Sequence, residues 1–211
     1  MKRIIHEIEQ NTDEWMQLRM GKITASNFAA VMANMSKPGQ PFGNPALQYA
    51  MRVAIEAKTQ RIIETYTNEW MDRGHDLEDE AREAYKAQQF VEVLPGGFAE
   101  WDGLGASADG LVPLKGQPAG LIEIKCVKYS THFERLVKGG FDTAYQWQIR
   151  GQMCLYDAPW CDFVSYSPDF PVNKQLYVFR IERDLILEDQ LLDRLKSFKK
   201  QVEYFTTILN Q

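Results

Sequence analysis

Two segments of the chain place carboxylates and a lysine at spacings that suit metal chemistry. Asp109 lies in GASADGLV, and Glu123 and Lys125 lie in GLIEIKCV. The second segment has the composition of a buried strand, so Glu123 and Lys125 point to the same face, because side chains alternate along a strand. An acid and a lysine are costly to bury on an apolar strand unless they are paired or bind a metal ion. These three residues are therefore candidates for catalysis.

An Asp-Gly pair upstream of this strand predicts how Asp109 joins the other two residues. Asp109 and Gly110 are expected to form a turn, and the hairpin that follows brings Asp109 beside Glu123 and Lys125. Asp109 can then bridge two divalent cations, while Glu123 and the backbone carbonyl of Ile124 complete the first site. Such oxygen ligands suit Mg²⁺ or Mn²⁺. Lys125 would orient or help deprotonate the attacking water and stabilise a pentavalent transition state. The predicted chemistry is metal-dependent cleavage of a phosphodiester.

The triad also has a simpler interpretation. Asp109 can make a type I′ turn with Gly110, and Glu123 and Lys125 can be a surface pair on an edge strand, since this pattern is common by chance. The functional interpretation is favoured by the apolar strand and by the small residues 105–108, beside which a phosphate backbone can approach closely. The strand neighbours divide between two faces, with Leu121 on the face of the charged pair and Ile122, Ile124 and Cys126 on the other.

Two further polar residues are candidates for the same site. Glu78 follows a helix break at 73–74 and could aim its carboxylate at the metals, or belong to a solvated acidic helix start that suits the helix dipole. Gln148 shares a helix face with Gln152. It could hydrogen-bond the attacking water or a phosphate, or be an ordinary amide on the helix surface.

A candidate anion site lies at the first helix break, in the segment LRMGKITAS. Arg19 at one helix end and Ser26 near the next helix start could hold a terminal phosphate, or could serve as ordinary capping residues.

The three histidines show no ligand spacing and are expected to be structural or surface residues; they are His6, His75 and His132.

Composition narrows the class of protein. The 211 residues suit one large domain, with 45% hydrophobic and 25% charged residues, as in soluble globular proteins. A net charge of −5 and a pI near 5.3 count against a general nucleic-acid binder but permit one local basic channel. The three cysteines form no CxxC pair, which argues against a cysteine metal site or a disulfide framework and predicts a reducing cytoplasm.

Periodicity predicts an α/β or α+β fold in which helices cover a central mixed sheet. Helices are expected at 12–20, 25–32 (capped by Thr24), 46–89 with a break near 73–74, 142–156 and from about 187. Strands are expected at 90–94, 97–101, 105–112, 121–127, 162–167 and 175–181. The predicted organisation is a single nuclease domain over 1–211, with N-terminal helices (12–90), a catalytic sheet core (90–183) and a C-terminal helix (187–210).

Taken together, the motifs resemble the lambda-type phage alkaline exonucleases, a viral recombinase family of the PD-(D/E)xK nuclease superfamily. The resemblance covers roughly residues 11–183. It rests on five segments in order, which are WMQLRMGKITAS (15–26), GHDLEDEA (74–81), SADGL (107–111), EIKC (123–126) and QWQIRGQ (146–152).

The resemblance implies a restriction-endonuclease-like core, a central mixed sheet flanked by helices, and a Mg²⁺-dependent exonuclease. Such an enzyme digests one strand of linear duplex DNA 5′→3′ to mononucleotides and leaves 3′ overhangs for recombination by strand annealing. Two Mg²⁺ ions per site, for which Mn²⁺ can substitute, are implied. A DNA-encircling homotrimer, a single-strand annealing partner and the cytoplasm of a bacterial host are implied as well.

The resemblance also implies roles for individual residues. It assigns catalysis to Asp109, Glu123, Lys125, Glu78 and Gln148, and metal binding to Asp109, Glu123, the Ile124 carbonyl and Glu78. It assigns 5′-phosphate or DNA binding to Arg19, Ser26, Ser107 and, as an apolar wedge at the terminal base pair, Met71.

The chain departs from the family pattern at two positions that concern how the downstream strand is held. Thr131 stands where an arginine is expected, and Glu69 replaces a lysine near the wedge.

Two other functions stay open at this point. One is a restriction- or resolvase-type endonuclease on the same core, and the other is a non-catalytic DNA-end-binding protein.

Overall fold

The computed structural model describes residues 2–33, 41–63 and 77–211. The strands within them are β1 (Ile4–His6), β2 (Ile23–Thr24), β3 (Phe98–Trp101), β4 (Leu104–Ala106), β5 (Gly110–Leu114), β6 (Gln117–Cys126), β7 (Trp160–Tyr166) and β8 (Leu176–Glu182). The α-helices are α1 (Asp13–Arg19), α2 (Phe28–Met32), α3 (Asn44–Thr59), α4 (Glu78–Gln89), α5 (Tyr129–Lys138), α6 (Gln146–Tyr156) and α7 (Leu185–Ile208).

The strands form two four-stranded mixed sheets. The first has the order β1-β3-β4-β2, and only its β2–β4 pair is parallel. The second has the order β5-β6-β7-β8, and only its β6–β7 pair is parallel. The predicted fold class is confirmed, although residues 107–109 separate the strands into two sheets. Ser107 and Asp109 therefore lie at the junction between the sheets.

Strand β6 is buried on both faces, which explains its apolar composition. Leu121 packs in the larger core cluster with Ile149 of α6. Ile122 and Ile124 pack in a second cluster with Tyr85 of α4. The predicted division of the strand between two faces is confirmed, and it places Glu123 on the face covered by α6.

Two polar contacts attach helix α4 to the second sheet, one through Tyr85 and one through Glu80. The Tyr85 hydroxyl donates to Asp162 Oδ2 at 2.7 Å, and Arg180 donates to both oxygens of the same carboxylate at 2.8 and 2.9 Å. At the start of the helix, the Tyr166 hydroxyl donates to Glu80 Oε1 at 2.5 Å. These contacts hold the first turn of α4, which carries Glu78, against the sheet.

Some predicted boundaries are wrong for reasons visible in the backbone. Helix α3 ends at Thr59 because Gln60 adopts a left-handed conformation with φ 54°; the break predicted near 73–74 lies outside the described residues. A strand at 90–94 is absent, since only Leu94 forms an isolated bridge, to Leu111. The helices that cover the sheets include α5, which the sequence analysis missed.

Two turn and cap predictions are also wrong. Gly110 is the first residue of β5 and has no positive φ, whereas the hairpin turn between β5 and β6 contains Gly116 with φ 71°. Asp109 reaches the strand through backbone pairing, since its N–H donates to the Ile122 carbonyl at 3.1 Å. Thr24 makes no capping hydrogen bond to the short 3₁₀ turn that precedes α2, because its side chain contacts the buried Tyr49 hydroxyl at 3.3 Å.

Helix α6 approaches α2 closely at Gly151. A Cβ at this position would lie 2.4 Å from a ring atom of Phe28, which is fully buried. The absence of a side chain therefore sets the distance at which α6 packs against α2, and with it the position of Gln148 and Gln152 on the same helix.

We predict that Gly151→Ala destabilises the protein by about 1–3 kcal/mol, because overpacking outweighs the gain of about 1 kcal/mol in helix propensity. Urea unfolding measures the difference, with Gln146→Ala on the same helix as a control that changes stability by less than about 0.5 kcal/mol. A Gly151→Ala protein as stable as the parent would contradict this packing.

Candidate active site

A pocket of about 430 Å³ opens at the junction of the two sheets. Every predicted site residue that the structure describes lines this pocket, namely Arg19, Ser26, Glu78, Ser107, Asp109, Glu123, Ile124, Lys125 and Gln148. Met71, the predicted wedge, lies outside the described residues, as do Glu69 and His75. The pocket thus brings together side chains from separate parts of the chain.

The carboxylate of Glu123 is the most enclosed charge in the pocket, with 1% of the residue exposed. Its Oε1 accepts hydrogen bonds from Lys125 Nζ and Gln148 Nε2, both at 2.5 Å. Its Oε2 accepts from Gln152 Nε2 at 2.6 Å. Three donors on two oxygens fix the orientation of this carboxylate. They also show that Gln148 is an amide of the pocket wall and that Glu123 and Lys125 are not a surface pair.

Asp109 lies beside Glu123 and is held by the same strand. Its Oδ2 accepts a hydrogen bond from the Ile124 N–H at 2.6 Å. Burial raises the pKa of Asp109 well above its ordinary value, and the negative charges of Glu123 and Glu78 raise it further, against the opposing effect of Lys125. The pocket therefore holds more negative charge than its own lysine offsets.

Lys125 is an ammonium in this setting. Burial alone would lower its pKa, but the charges of Glu123 and Asp109 outweigh burial and raise the pKa above its ordinary value. Its Nζ lies 4.7 Å from the centre of the Tyr145 ring. A lysine that keeps its proton can donate hydrogen bonds and positive charge, but it does not accept a proton from water.

Glu78 reaches the pocket from the first turn of α4. Its side chain is 25% exposed, whereas that of Asp79 is 90% exposed, so Glu78 is not simply part of a solvated helix start. Arg82 Nη2 donates to Glu78 Oε1 at 2.7 Å, and Arg82 Nε donates to the Asp109 carbonyl at 3.1 Å. Arg82 therefore links Glu78 on α4 to the backbone of Asp109 at the junction between the two sheets.

The other end of the pocket is suited to an anion. The indole N–H of Trp15 donates to Ser107 Oγ at 2.8 Å, and the guanidinium of Arg19 lies 4.0 Å over the Trp15 ring. Ser26 Oγ accepts a hydrogen bond from the Asn27 side-chain amide at 3.3 Å. Within 2–33, 41–63 and 77–211, the Arg19 guanidinium makes no hydrogen bond or ion pair. Burial lowers the pKa of Arg19, so an entering anion would relieve a poorly compensated charge.

Three residues of the site were not identified as functional in the sequence. Gln152 follows Gln148 by one helical turn, and Trp15 precedes Arg19 by one turn, so the i, i+4 spacing was the available signal. Arg82 similarly follows Glu78 by four residues. Their contacts, however, depend on elements distant in sequence, which spacing alone does not reveal.

The donor set of the pocket fits a hard divalent cation. Asp109, Glu123 and the Ile124 carbonyl offer oxygen ligands on adjacent backbone, with Glu78 facing them from α4. The described residues contain no group of three or more His, Cys, Asp or Glu side chains placed so that it could hold a metal ion. Mg²⁺ commonly takes only one or two protein carboxylates and completes its shell with water and substrate phosphate. The pKa of Asp109 is raised by burial and then by the negative charges of Glu123 and Glu78, and a bound cation would offset both effects.

Comparison with known proteins agrees with this geometry. Residues 14–158 match the model of a family described as the YqaJ-like viral recombinase domain. The solved structure of an alkaline exonuclease, LHK-Exo, from Laribacter hongkongensis is 33% identical, with a TM-score of 0.82 over 94% of this chain and 96% of that chain. The structure of LHK-Exo in complex with dAMP matches to the same extent.

A more distant structure shares the fold. A phage-related exonuclease from Haemophilus somnus 129PT has 14% identity and a TM-score of 0.70 over 92% of this chain and 98% of that chain. No curated protein gives a significant match. Among the described helices, none is both long and apolar enough to cross a membrane.

We predict that Asp109→Asn stabilises the metal-free protein at neutral pH, by about 1 kcal/mol. The native pKa of Asp109 is raised, so between the ordinary and the raised pKa the native state holds a proton that the unfolded state has lost. Stability therefore falls as pH rises from the ordinary aspartate pKa through the raised native pKa. The asparagine carbonyl can still accept from the Ile124 N–H.

Urea unfolding in EDTA at pH 5 and pH 8 measures this effect. The advantage of Asp109→Asn should be larger at pH 8 than at the lower pH. A variant less stable than the parent at pH 8 would show that Asp109 is not strained by its neighbours' charges.

Proposed function

This chain belongs to the YqaJ-like viral recombinase family, and we propose that it is a Mg²⁺-dependent exonuclease that digests one strand of linear duplex DNA 5′→3′. It releases mononucleotides processively and leaves 3′ overhangs for strand annealing. The observation that carries this proposal is that one pocket is lined both by the acidic residues and by three residues suited to binding an anion, Arg19, Ser26 and Ser107. The similarity to LHK-Exo, an alkaline exonuclease, supports it.

The acidic end of the pocket supplies the ligands for metal ions. Asp109, Glu123 and the Ile124 carbonyl would hold the first Mg²⁺, and Asp109 with Glu78 a second; Mn²⁺ can substitute. When bound, the divalent ions supply Lewis-acid charge to the scissile phosphate. The chain itself keeps these ligands oriented, since each carboxylate accepts at least one hydrogen bond from a neighbouring residue.

Lys125 and Gln148 are proposed to act on the attacking water and the reacting phosphate. The Lys125 ammonium contributes positive charge where negative charge develops. Because it stays protonated, its role is to orient the water by donating a hydrogen bond, and the alternative role as base is disfavoured. Gln148 holds Glu123 through Nε2 at 2.5 Å, which leaves its carbonyl oxygen to accept a hydrogen bond from the water.

The anion end of the pocket gives a reason for attack at a DNA end. Arg19 and the hydroxyls of Ser26 and Ser107 are proposed to bind the terminal 5′-phosphate. Ser107 and Asp109 are two residues apart, so their Cα atoms lie within about 7 Å of each other. The bound end and the metal ligands are therefore close together, which supports removal of one terminal nucleotide at a time.

The remaining features are proposed from family membership. The chain acts as a single nuclease domain in a homotrimeric ring around DNA, with a single-strand annealing protein as partner, in the cytoplasm of the bacterial host of a phage or prophage. Met71 is proposed as the wedge that splits the terminal base pair. Thr131 is half-buried in the first turn of α5, so the downstream strand would be held without an arginine at that position.

The alternative within nucleases is an endonuclease of restriction or resolvase type. An enzyme that cuts internally has no use for a terminal phosphate site. The Arg19 charge, which has no ion-pair partner in the described part of the chain and lines the same pocket as two hydroxyls, favours end processing. A DNA-end-binding protein without catalysis is disfavoured by the presence of all three residues of the triad.

Digestion of matched DNA substrates tests the proposed function. With Mg²⁺, we predict degradation of linear duplex and none of the same molecule as a covalently closed circle. Asp109→Ala and Lys125→Ala should each abolish cleavage but retain binding to duplex ends in a mobility-shift assay. Cleavage of the circle at a comparable rate would establish an endonuclease, and activity in both variants would show that the triad is not the catalytic site.

We predict that Arg19→Gln lowers kcat/KM about 10- to 100-fold on 5′-phosphorylated ends, the effect of losing a charge-assisted contact of about 2 kcal/mol. On 5′-hydroxyl ends the loss should be under about threefold. Arg61→Gln, which removes an exposed arginine outside the pocket, is the matched control and should leave the ratio of the two rates unchanged. Equal losses on both ends would contradict a phosphate-binding role for Arg19.

A further inference from the structure

Gln152 is a buried polar residue of the pocket to which the proposed mechanism gives no task. It lies in α6, has no exposed surface, and contributes to the pocket wall. Its amide lies between two separate elements of the site, the strand junction at Ser107 and the metal ligand Glu123 on β6.

Its neighbours fix the orientation of the Gln152 amide. Nε2 donates to Glu123 Oε2 at 2.6 Å and to the Ser107 carbonyl at 2.8 Å. Both partners are acceptors that cannot donate, so a flipped amide would place oxygen against oxygen. In the fixed orientation, both N–H bonds are used and Oε1 is buried without a hydrogen-bond partner among the described residues.

The unpaired Oε1 of Gln152 is evidence that this residue positions Glu123 and does not simply fill space in the core. A side chain that only filled this space could be apolar and would leave no acceptor unpaired, and a buried unpaired acceptor lowers stability. The amide is therefore advantageous here because of what its N–H groups do. They connect Glu123 to the main-chain carbonyl of Ser107. The side chain of Ser107 is in turn held by Trp15, whose indole N–H donates to the Ser107 hydroxyl.

Glu123 needs such a contact because the other hydrogen-bond donors around it donate to only one of its two carboxylate oxygens. Lys125 and Gln148 both donate to Oε1, and both also have proposed roles toward water and phosphate. Gln152 is the donor that the structure places on Oε2. Since a carboxylate oxygen can accept more than one contact, Oε2 keeps a lone pair for a cation while its direction is fixed.

We propose that Gln152 is a positioning residue that holds the Glu123 carboxylate in its metal-binding orientation, with the Ser107 main chain as the fixed point. This inference rests on the proposed function, because it assigns Glu123 to a divalent cation. It extends that function by naming the contact that prevents rotation of this ligand and that links it to the anion end of the pocket.

Metal binding by the full-length protein tests this role without any cleavage reaction. Gln152→Met keeps a similar length but has no N–H groups, and titration calorimetry with Mn²⁺ measures its affinity. We expect about 10- to 100-fold weaker binding, the usual effect of removing a partner of a metal ligand. Gln146→Met on the same helix lies outside the pocket and should bind Mn²⁺ like the parent.

Kinetics on 5′-phosphorylated linear duplex provides a second readout. In Gln152→Met, the Mg²⁺ concentration that gives half-maximal rate should rise by a similar factor, and high Mg²⁺ should restore most of kcat. KM for DNA ends should change by less than about threefold, because the contacts of Arg19 and Ser26 remain. A merely structural role would lower the melting temperature and kcat without shifting the metal dependence.

The outcomes separate this inference from the proposed function. Parental Mn²⁺ affinity and Mg²⁺ dependence in Gln152→Met would overturn the positioning role. If that variant does not fold, Gln152→Asn, whose shorter amide cannot reach both acceptors, should show the same weakening, and parental affinity there would overturn the role equally. A parent protein that binds Mn²⁺ but leaves linear duplex intact would refute the exonuclease, while the affinity difference would still report on Gln152.

Discussion

The burial of the Glu123 carboxylate is the constraint on which the rest of the site depends. The residue lies on an interior strand of the second sheet and is 1% exposed, where an unpaired charge would cost several kcal/mol. Both oxygens are therefore met by donors from β6 and α6. Those donors reach Glu123 only because α6 packs at the distance that Gly151 permits. The pairing of one buried carboxylate on a strand thus depends on how closely a helix packs in the neighbouring core.

The separation of the strands into two sheets gives the pocket its two chemically different ends. Between β4 and β5 the chain crosses from one sheet to the other over three residues, 107–109. Ser107 contacts Trp15, and over the Trp15 ring lies the guanidinium of Arg19, which makes no hydrogen bond or ion pair with any described residue. Asp109 lies among the acids and Lys125. The proposed anion site and the proposed cation site are therefore held by adjacent backbone, which is the arrangement that the proposed exonuclease requires at a phosphorylated end.

Local sequence patterns predicted the parts of this site that depend on local structure. Strand alternation placed Glu123 and Lys125 on one face, and helical spacing joined Gln148 to Gln152. The strand predicted at 90–94 failed because strand formation requires a partner, which the local sequence does not specify. The Asp109–Gly110 turn failed for the same reason, since pairing with β6 and not local turn chemistry sets that backbone. The contacts that orient Glu123 depend on helix packing and were not predictable from spacing.

Anomalous diffraction from crystals of the protein grown with Mn²⁺ tests the central claim, that the oriented Glu123 carboxylate belongs to a metal site. The account predicts an anomalous peak in the pocket within about 2.3 Å of oxygens of Glu123 and Asp109, with Gln152 still donating to Glu123. The same crystals of Asp109→Asn should lose or weaken the peak. A fully ordered pocket without Mn²⁺ at saturating concentration, or Mn²⁺ bound only elsewhere, would contradict the account.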